Sequence, residues 1–278
     1  MVARQEDQAR LEGQAFIIME PVLFEREGAI ARITLNRPEA GNAIDLPTAR
    51  GLVAAALRCD ADASLRCVVL TGAGRMFCAG GDIGIFASAA DNASAMLSEL
   101  AGTLHMAVSR FARMRKPLLV LVNGPAAGAG FSLAMMGDIV LAGRSAHFTA
   151  AYGAIGLSPD GGMTWQLPRL VGLRKAQEII LTNRRVPAAE AETIGLITRA
   201  VDDSALASEG AGIASIWAAS ATAALGAART LLASSFGADL ESQMEQEARA
   251  ISAAGGSHDG REGFTAFLAK RKPNFEGA

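Results

Sequence analysis

Apolar and β-branched residues gather along this chain in short runs that stop at glycine or asparagine: "AIARITLN" at Asn36, "LRCVVLTG" at Gly72, "KPLLVLVNG" at Gly124 and "GDIVLAG" at Gly143. Runs of this length, rich in Val, Ile and Leu and closed by turn residues, predict β-strands. The stretch from Leu118 to Val122 is apolar without alternation, the pattern of a strand buried on both faces. Between these runs lie helical stretches, "LPTARGLVAAALRC", "SAMLSELAGTLHMAVSRFARMR" and "AGFSLAMM". Strands alternating with helices predict an α/β architecture.

The pattern changes near residue 203. From Ala205 to Ile251 the chain is alanine-rich and helical by composition, without a comparable strand signal. "GREGFTAFLAKRKPNF" adds a last amphipathic helix whose stop signal is Pro273. Three segments are expected: a flexible N-terminal extension over 1–18, a core over 19–204 that carries the active site, and a helical C-terminal region over 205–278. A helical tail of this kind often packs on a neighbouring subunit.

Composition narrows the function classes. Of the 278 residues, 50% are hydrophobic and 19% charged, enough to bury a sizeable core. The formal net charge is −2 and no long basic run is present, which argues against a nucleic-acid partner. The three cysteines (Cys59, Cys67, Cys78) show no CxxC spacing, and the three histidines (His105, His147, His258) stand far apart. No metal site and no disulfide framework are expected, and a cytoplasmic setting fits. The first sixteen residues carry mixed charges and no apolar core, unlike a signal peptide. The longest uncharged run, Pro117 to Gly137, has the length of a membrane span, but Asn123, Pro125 and its glycines mark a strand–loop–helix instead, so no membrane partner is expected.

Two glycine-rich stretches carry candidate chemistry. "RMFCAGGD" (Arg75–Asp82) follows the strand ending at Gly72, and "NGPAAGAGFSLAMMGD" (Asn123–Asp138) is a strand meeting a small-residue loop that opens a helix. Such loops bring backbone N–H groups to a ligand, and a helix N-terminus suits an anion or developing oxyanion. Neither stretch is G-x-G-x-x-G or a phosphate-binding P-loop. Singly each reads as tight packing; as a pair they read as two donor loops, as a thioester enolate requires. In "GLSPDGG" Asp160 by itself reads as a turn residue.

The order "ITLNRPEAGNA", "LTGAGRMFCAGGD", "KPLLVLVNGPAAGAG", "GDIVLAGRSAHF", "IGLSPDGG" and "AFLAKRKPNF" resembles the enoyl-CoA hydratase/isomerase (crotonase) superfamily over about residues 20 to 275. Within it, "GPAAGAG" and "GLSPDGGMTWQLPRLVG" most resemble the branch that isomerises ring-epoxide phenylacetyl-CoA. The resemblance implies a spiral of ββα turns, a C-terminal trimerisation region, and a homotrimer or dimer of trimers. It also implies an acyl-CoA substrate that itself carries the coenzyme A, with no further cofactor. It places the two backbone oxyanion donors on Ala79 and Ala129. CoA contacts are implied around Ala40 to Ala43 and at Gly80, Gly81, Asp82 and Ile83. Phe267 and Lys270 are implied neighbours of the adenine or phosphates, often across a subunit interface. Each has a plainer reading: Asp82 as a helix cap, and Lys270 as part of a solvated helix end.

The departures matter as much. Hydratases of the family hold water between two glutamates, at the positions of Ser132 and Tyr152 here. Neither side chain is a carboxylate base near neutral pH, tyrosine ionising near ~10. Asp160, eight residues past Tyr152, stands where some isomerases of the family carry an aspartate used in proton transfer, and one carboxylate suffices for a 1,3-proton shift. Tyr152 is then expected to line the acyl pocket, Trp165 to pack beneath Asp160, and Phe86 to Gly102 to cover the acyl tail with small residues that leave room. An isomerase is expected ahead of a hydratase lacking the two glutamates, or of a non-catalytic CoA-ester-binding protein.

Overall fold

The computed structural model describes residues 20–277; the extension expected over 1–18 lies outside them. The chain opens with a hairpin, β1 (Val22–Glu27) and β2 (Ile30–Leu35), and runs into helix α1 (Leu46–Ala61). Asp45 starts α1 by accepting the Thr48 N–H at 2.8 Å, which satisfies one of the helix's orphan donors. Then follow β3 (Cys67–Gly72), α2 (Ile83–Ser88), α3 (Ala93–Arg113), β4 (Leu118–Val122), β5 (Ala126–Ala127), α4 (Ala129–Ala134), β6 (Ile139–Gly143) and β7 (His147–Thr149). After them come α5 (Met163–Val171), α6 (Leu173–Thr182), β8 (Val186–Pro187), α7 (Ala188–Thr193), β9 (Arg199–Val201), α8 (Leu206–Ala218), α9 (Thr222–Ser234), α10 (Leu240–Gly256) and α11 (His258–Leu268).

Among the described residues, six strands form one sheet in the order β1-β2-β3-β4-β6-β9, and β5-β7-β8 form a smaller one. Every pairing in the large sheet is parallel except β1 with β2. The spiral of ββα turns is visible in how the two sheets are fed. β4 is followed by β5 and α4, and β6 by β7 and α5, so each turn sends one strand to each sheet before its helix. The earlier turns do the same with single bridges, Cys78 beside Ala126 and Ile44 beside Gly81. The uncharged run from 117 to 137 is thus β4, β5 and α4, and no single described helix is long and apolar enough to cross a membrane.

Both faces of the large sheet are covered at its central strands β3, β4 and β6, as the unalternating run of β4 requires. Val68, Leu70, Leu118, Val120 and Ala142 face the main core with Leu52 and Ala56 of α1 and Leu104, Ala107 and Phe111 of α3. Cys67, Val69, Leu119, Leu121 and Leu141 face the other side, against Leu206 and Ala214 of α8. A Cβ at Gly210 would stand 2.6 Å from Leu121, so glycine is what lets α8 lie this close. The helical region entered near 204 therefore completes the core before it leaves it. Helix α10 buries none of its residues, and α11 ends at Leu268, short of Pro273. Beyond it Arg271 turns back to pair with Glu262 at 2.6 Å, and Asp259 accepts the Glu276 and Gly277 N–H groups at 2.7 Å, folding the tail onto α11.

Candidate functional site

A cavity of about 240 Å³ opens where the loops of the four ββα turns meet helix α3. Its floor is Ala79, Gly80, Gly81, Gly128 and Ala129; Phe86, Leu97, Leu100 and Leu104 form an apolar wall; Tyr152, Leu157 and Asp160 close the far side. The two glycine loops approach so closely that a Cβ at Gly80, whose φ is +99°, would stand 2.9 Å from the Ala127 carbonyl. Only glycine permits both that φ and that contact.

The floor presents two N–H groups to the cavity, and one differs from expectation. Ala129 is the first residue of α4, where a helix has unpaired donors, and its N–H has no acceptor among the described residues. The Ala79 N–H, the expected second donor, is instead occupied by the Gly41 carbonyl at 2.9 Å. The free donor lies two residues on. In the parallel bridge between Ile44 and Gly81 the hydrogen bonds run from Ile44 N to Gly80 O (2.7 Å) and from Asp82 N to Ile44 O (3.0 Å). A parallel bridge uses the peptides flanking one partner, which leaves the N–H of Gly81, a residue of the cavity floor, without an acceptor among the described residues.

Asp160 is the one carboxylate among the residues lining the cavity, and no lysine or arginine lines it. Its Oδ1 accepts the Tyr152 hydroxyl at 2.7 Å, while Oδ2 has no hydrogen bond among the described residues and lies 3.8 Å from His105 Nε2. Tyr152 is buried, and that burial together with the adjacent Asp160 charge pushes its phenol well above the ordinary tyrosine range. Tyr152 is therefore a fixed donor. It is held in turn by Ala151, whose φ of +68° is unusual for a residue with a Cβ and whose N–H donates to Asn183 Oδ1 at 2.6 Å. Ser132, fully buried on α4, donates to the Asp160 carbonyl at 2.9 Å and lies 3.5 Å from the Tyr152 hydroxyl. The two positions that carry glutamates in hydratases thus hold side chains that bond the Asp160 loop.

The remaining expected contacts divide. Gly80, Gly81 and Ile83 line the cavity, as does Ile44; Ala40 and Ala43 lie outside its lining. Asp82 stands at the N-cap of α2 without a capping bond from its side chain; its carboxylate pairs with Arg37 at 3.1 Å, and Arg37 also meets Asp45 at 3.0 Å. Trp165 does not pack beneath Asp160. The residue is 53% exposed, and the Arg169 guanidinium sits 4.0 Å from its ring centre, because the turn of α5 carries it outward. Phe267 (83% exposed) and Lys270 lie beyond this chain's cavity, at the end of α11. The expected acyl cover is present, but its wall is Phe86, Leu97, Leu100 and Ala101, and the small residues from Ser88 to Ala95 stay outside the lining.

His105 is only an isolated histidine in the sequence, yet its Nε2 accepts the Gly161 N–H at 3.0 Å. Helical spacing could have found it, since residues 97, 101, 104 and 105 share one face. Asp138 is structural: its carboxylate accepts the Leu118 N–H and both its oxygens pair with Arg229 at 2.7 Å. Among the described residues no cluster of three His, Cys, Asp or Glu has metal-site spacing.

Comparisons with known proteins identify the family. A family model for "Enoyl-CoA hydratase/isomerase" matches residues 25–278. The chain is 38% identical to "1,2-epoxyphenylacetyl-CoA isomerase" of Escherichia coli (strain K12), covering 94% of this chain and 100% of that protein. It is 39% identical to a "Probable enoyl-CoA hydratase" of Rhodobacter capsulatus, covering 92% and 98%. Among solved structures, an enoyl-CoA hydratase from Polaromonas sp. JS666 superposes with a TM-score of 0.88 at 30% identity, covering 92% of this chain and 99% of that one.

Proposed function

The chain belongs to the enoyl-CoA hydratase/isomerase family, and within it we propose an isomerase of acyl-CoA thioesters that works with a single acid/base side chain, Asp160. The observation that carries this reading is the one carboxylate that lines the cavity among the described residues, with one oxygen bonded to Tyr152 and the other without a hydrogen bond among them. The thioester carbonyl lies between the Gly81 and Ala129 N–H groups. Asp160 Oδ2 removes a proton from the α- or γ-carbon, negative charge moves to the carbonyl oxygen, and the two N–H groups stabilise it. Each such donor is worth ~2.7–4 kcal/mol of barrier in acyl-transfer enzymes. Asp160 then returns the proton to the other carbon, so the double bond moves and no water is consumed.

Hydration would require a second group to hold and deprotonate water. Ser132 and Tyr152 are bonded to the Asp160 loop, and no second carboxylate lines the cavity among the described residues, which favours isomerisation. The apolar wall of Phe86, Leu97, Leu100 and Leu104 fits an uncharged acyl group. Ring-epoxide phenylacetyl-CoA is the substrate to try beside straight-chain enoyl-CoA esters, on the strength of the Escherichia coli relative. The outward apolar side chains of α9, α10 and α11, among them Leu232, Ile251, Phe264 and Phe267, favour a homotrimer or dimer of trimers, testable by light scattering. Three buried free thiols accord with a reducing, cytoplasmic setting.

The test is to incubate the protein with a trans-2-enoyl-CoA and with its 3-enoyl isomer in deuterated buffer and follow both by NMR. Interconversion with deuterium at the α- or γ-carbon and no 3-hydroxyacyl product is the expected result. A 3-hydroxyacyl product would establish hydration and overturn the reading. Turnover of only the ring-epoxide ester would keep the isomerase and fix its substrate.

A further inference from the structure

We propose that His105 is a positioning residue for the base, fixing Asp160 through the peptide that follows it and linking that peptide to the wall of the acyl chamber. The inference rests on the reading of Asp160 as acid/base. His105 makes no hydrogen bond to the carboxylate; 3.8 Å from Nε2 to Oδ2 is too long for one. What it holds is the Gly161 N–H, at 3.0 Å. An Nε2 that accepts a hydrogen bond has no proton, so the ring is neutral with its hydrogen on Nδ1.

The Gly161 N–H and the Asp160 carbonyl belong to one planar peptide unit. Its two ends are gripped from opposite sides. Ser132 Oγ, on α4, donates to the carbonyl at 2.9 Å, and the Met163 N–H adds a second bond at 3.1 Å. His105, on α3, takes the N–H. The side chain of Asp160 leaves the Cα next to this plane, so rotation of the plane swings the carboxylate. The Tyr152 bond to Oδ1 restrains one oxygen and leaves the carboxylate free to pivot about it. With His105 removed, a peptide beside the left-handed Gly161 (φ +62°) and Gly162 (φ +82°) loses its acceptor on that side.

His105 also stands in a telling place on α3. It follows Leu104 and lies one turn beyond Ala101, both of which line the acyl chamber. The helix that touches the acyl group therefore carries the acceptor that fixes the base. Positioning is where small displacements cost most: a 1 Å misplacement of a reacting group lowers rates about 10²-fold.

Two substitutions test this, with Asp160→Asn alongside. His105 is half exposed, so neither replacement opens a core cavity, and a thermal melt beside each confirms the fold. His105→Leu removes the acceptor. His105→Gln restores one, because the glutamine Oε1 reaches nearly the position of Nε2. The expected result is a kcat for His105→Leu lower by about 10- to 100-fold with KM changed less than about 3-fold, and His105→Gln within about 3-fold of wild type. A His105→Leu enzyme with wild-type kcat, or a His105→Gln enzyme as slow as His105→Leu, would overturn the inference. If Asp160→Asn remains active, the acid/base reading itself fails. If Asp160→Asn is inactive and His105→Leu is not impaired, only the positioning role fails.

Discussion

The chain has a single tyrosine, and it is Tyr152, so the ionisation of one site can be read from the whole protein. The perturbation is alkaline pH. An exposed tyrosine ionises near ~10. Burial of Tyr152, and then the negative charge of Asp160 beside it, both oppose a second negative charge there and push the phenol well above that value. The consequence for stability has a definite sign. The native pKa is raised above the unfolded one, so the stabilisation is complete below pH ~10 and is lost above it, where the unfolded chain releases a proton that the native one keeps. The slope approaches about 1.4 kcal/mol per pH unit once the unfolded phenol is ionised, which amounts to roughly 2.3 kcal/mol between pH 10 and 12. The assay is the ultraviolet difference band of tyrosinate in the folded protein, with urea unfolding of wild type and Tyr152→Phe at each pH. Lysine and arginine titration affects both proteins alike, so the difference between their slopes isolates Tyr152. Asp160→Asn removes the second cause only, and the midpoint should fall yet stay above the ordinary value. A tyrosinate band in the folded protein with a midpoint near ~10, or equal slopes for wild type and Tyr152→Phe, would refute the reasoning. The chemical consequence would then fall too, because a phenol that ionises readily is a base and not a fixed donor.

Other expectations are more direct. Asp160→Asn should lower isomerisation and solvent deuterium exchange by about 10²–10⁴-fold while acyl-CoA binding by calorimetry stays within a few-fold; equal loss of binding would make Asp160 a structural residue. Gly161→Ala sets a Cβ 2.8 Å from Ser132 Cβ at a φ of +62°, and urea denaturation should show a loss of about 1–3 kcal/mol together with lower kcat. Arg229→Met removes the partner of both Asp138 oxygens and the donor to the Phe111, Ala112 and Met114 carbonyls, at a cost of about 3 kcal/mol by the same measurement. The three thiols are buried and pushed up to about 12, so a disulfide reagent should titrate none in native protein near neutral pH and all three in urea.

The four β-rich runs that stop at glycine or asparagine became four neighbouring strands of the large sheet, and the helical stretches fell between them. The short strands were not legible. β5 and β8 are two residues long, and their partners are chosen by where the spiral places them and not by any local pattern. The C-terminal helix stopped earlier than its proline, because Glu262 and Asp259 capture the chain that follows; such long-range acceptors leave no trace in a propensity.

The site divides along the same line. Its chemical types could be read from the sequence, because each depends on which residue stands at a position: two glycine-rich donor loops, a lone carboxylate at 160, and serine and tyrosine where two glutamates would support hydration. Its pairings could not, because a hydrogen-bond partner is fixed by distance in space. The bond from the Ala79 N–H to Gly41 moves the free donor to Gly81, and the turn of α5 takes Trp165 away from Asp160. His105, 56 residues before Gly161 in sequence, reaches that residue's N–H only because the fold lays α3 beside the loop between β7 and α5, in the fourth ββα turn. Sequence alone determined what this protein has to work with, since side-chain chemistry is local; the tertiary fold decided which groups are free to act, since every peptide N–H and carboxylate oxygen takes the nearest partner that the packing supplies.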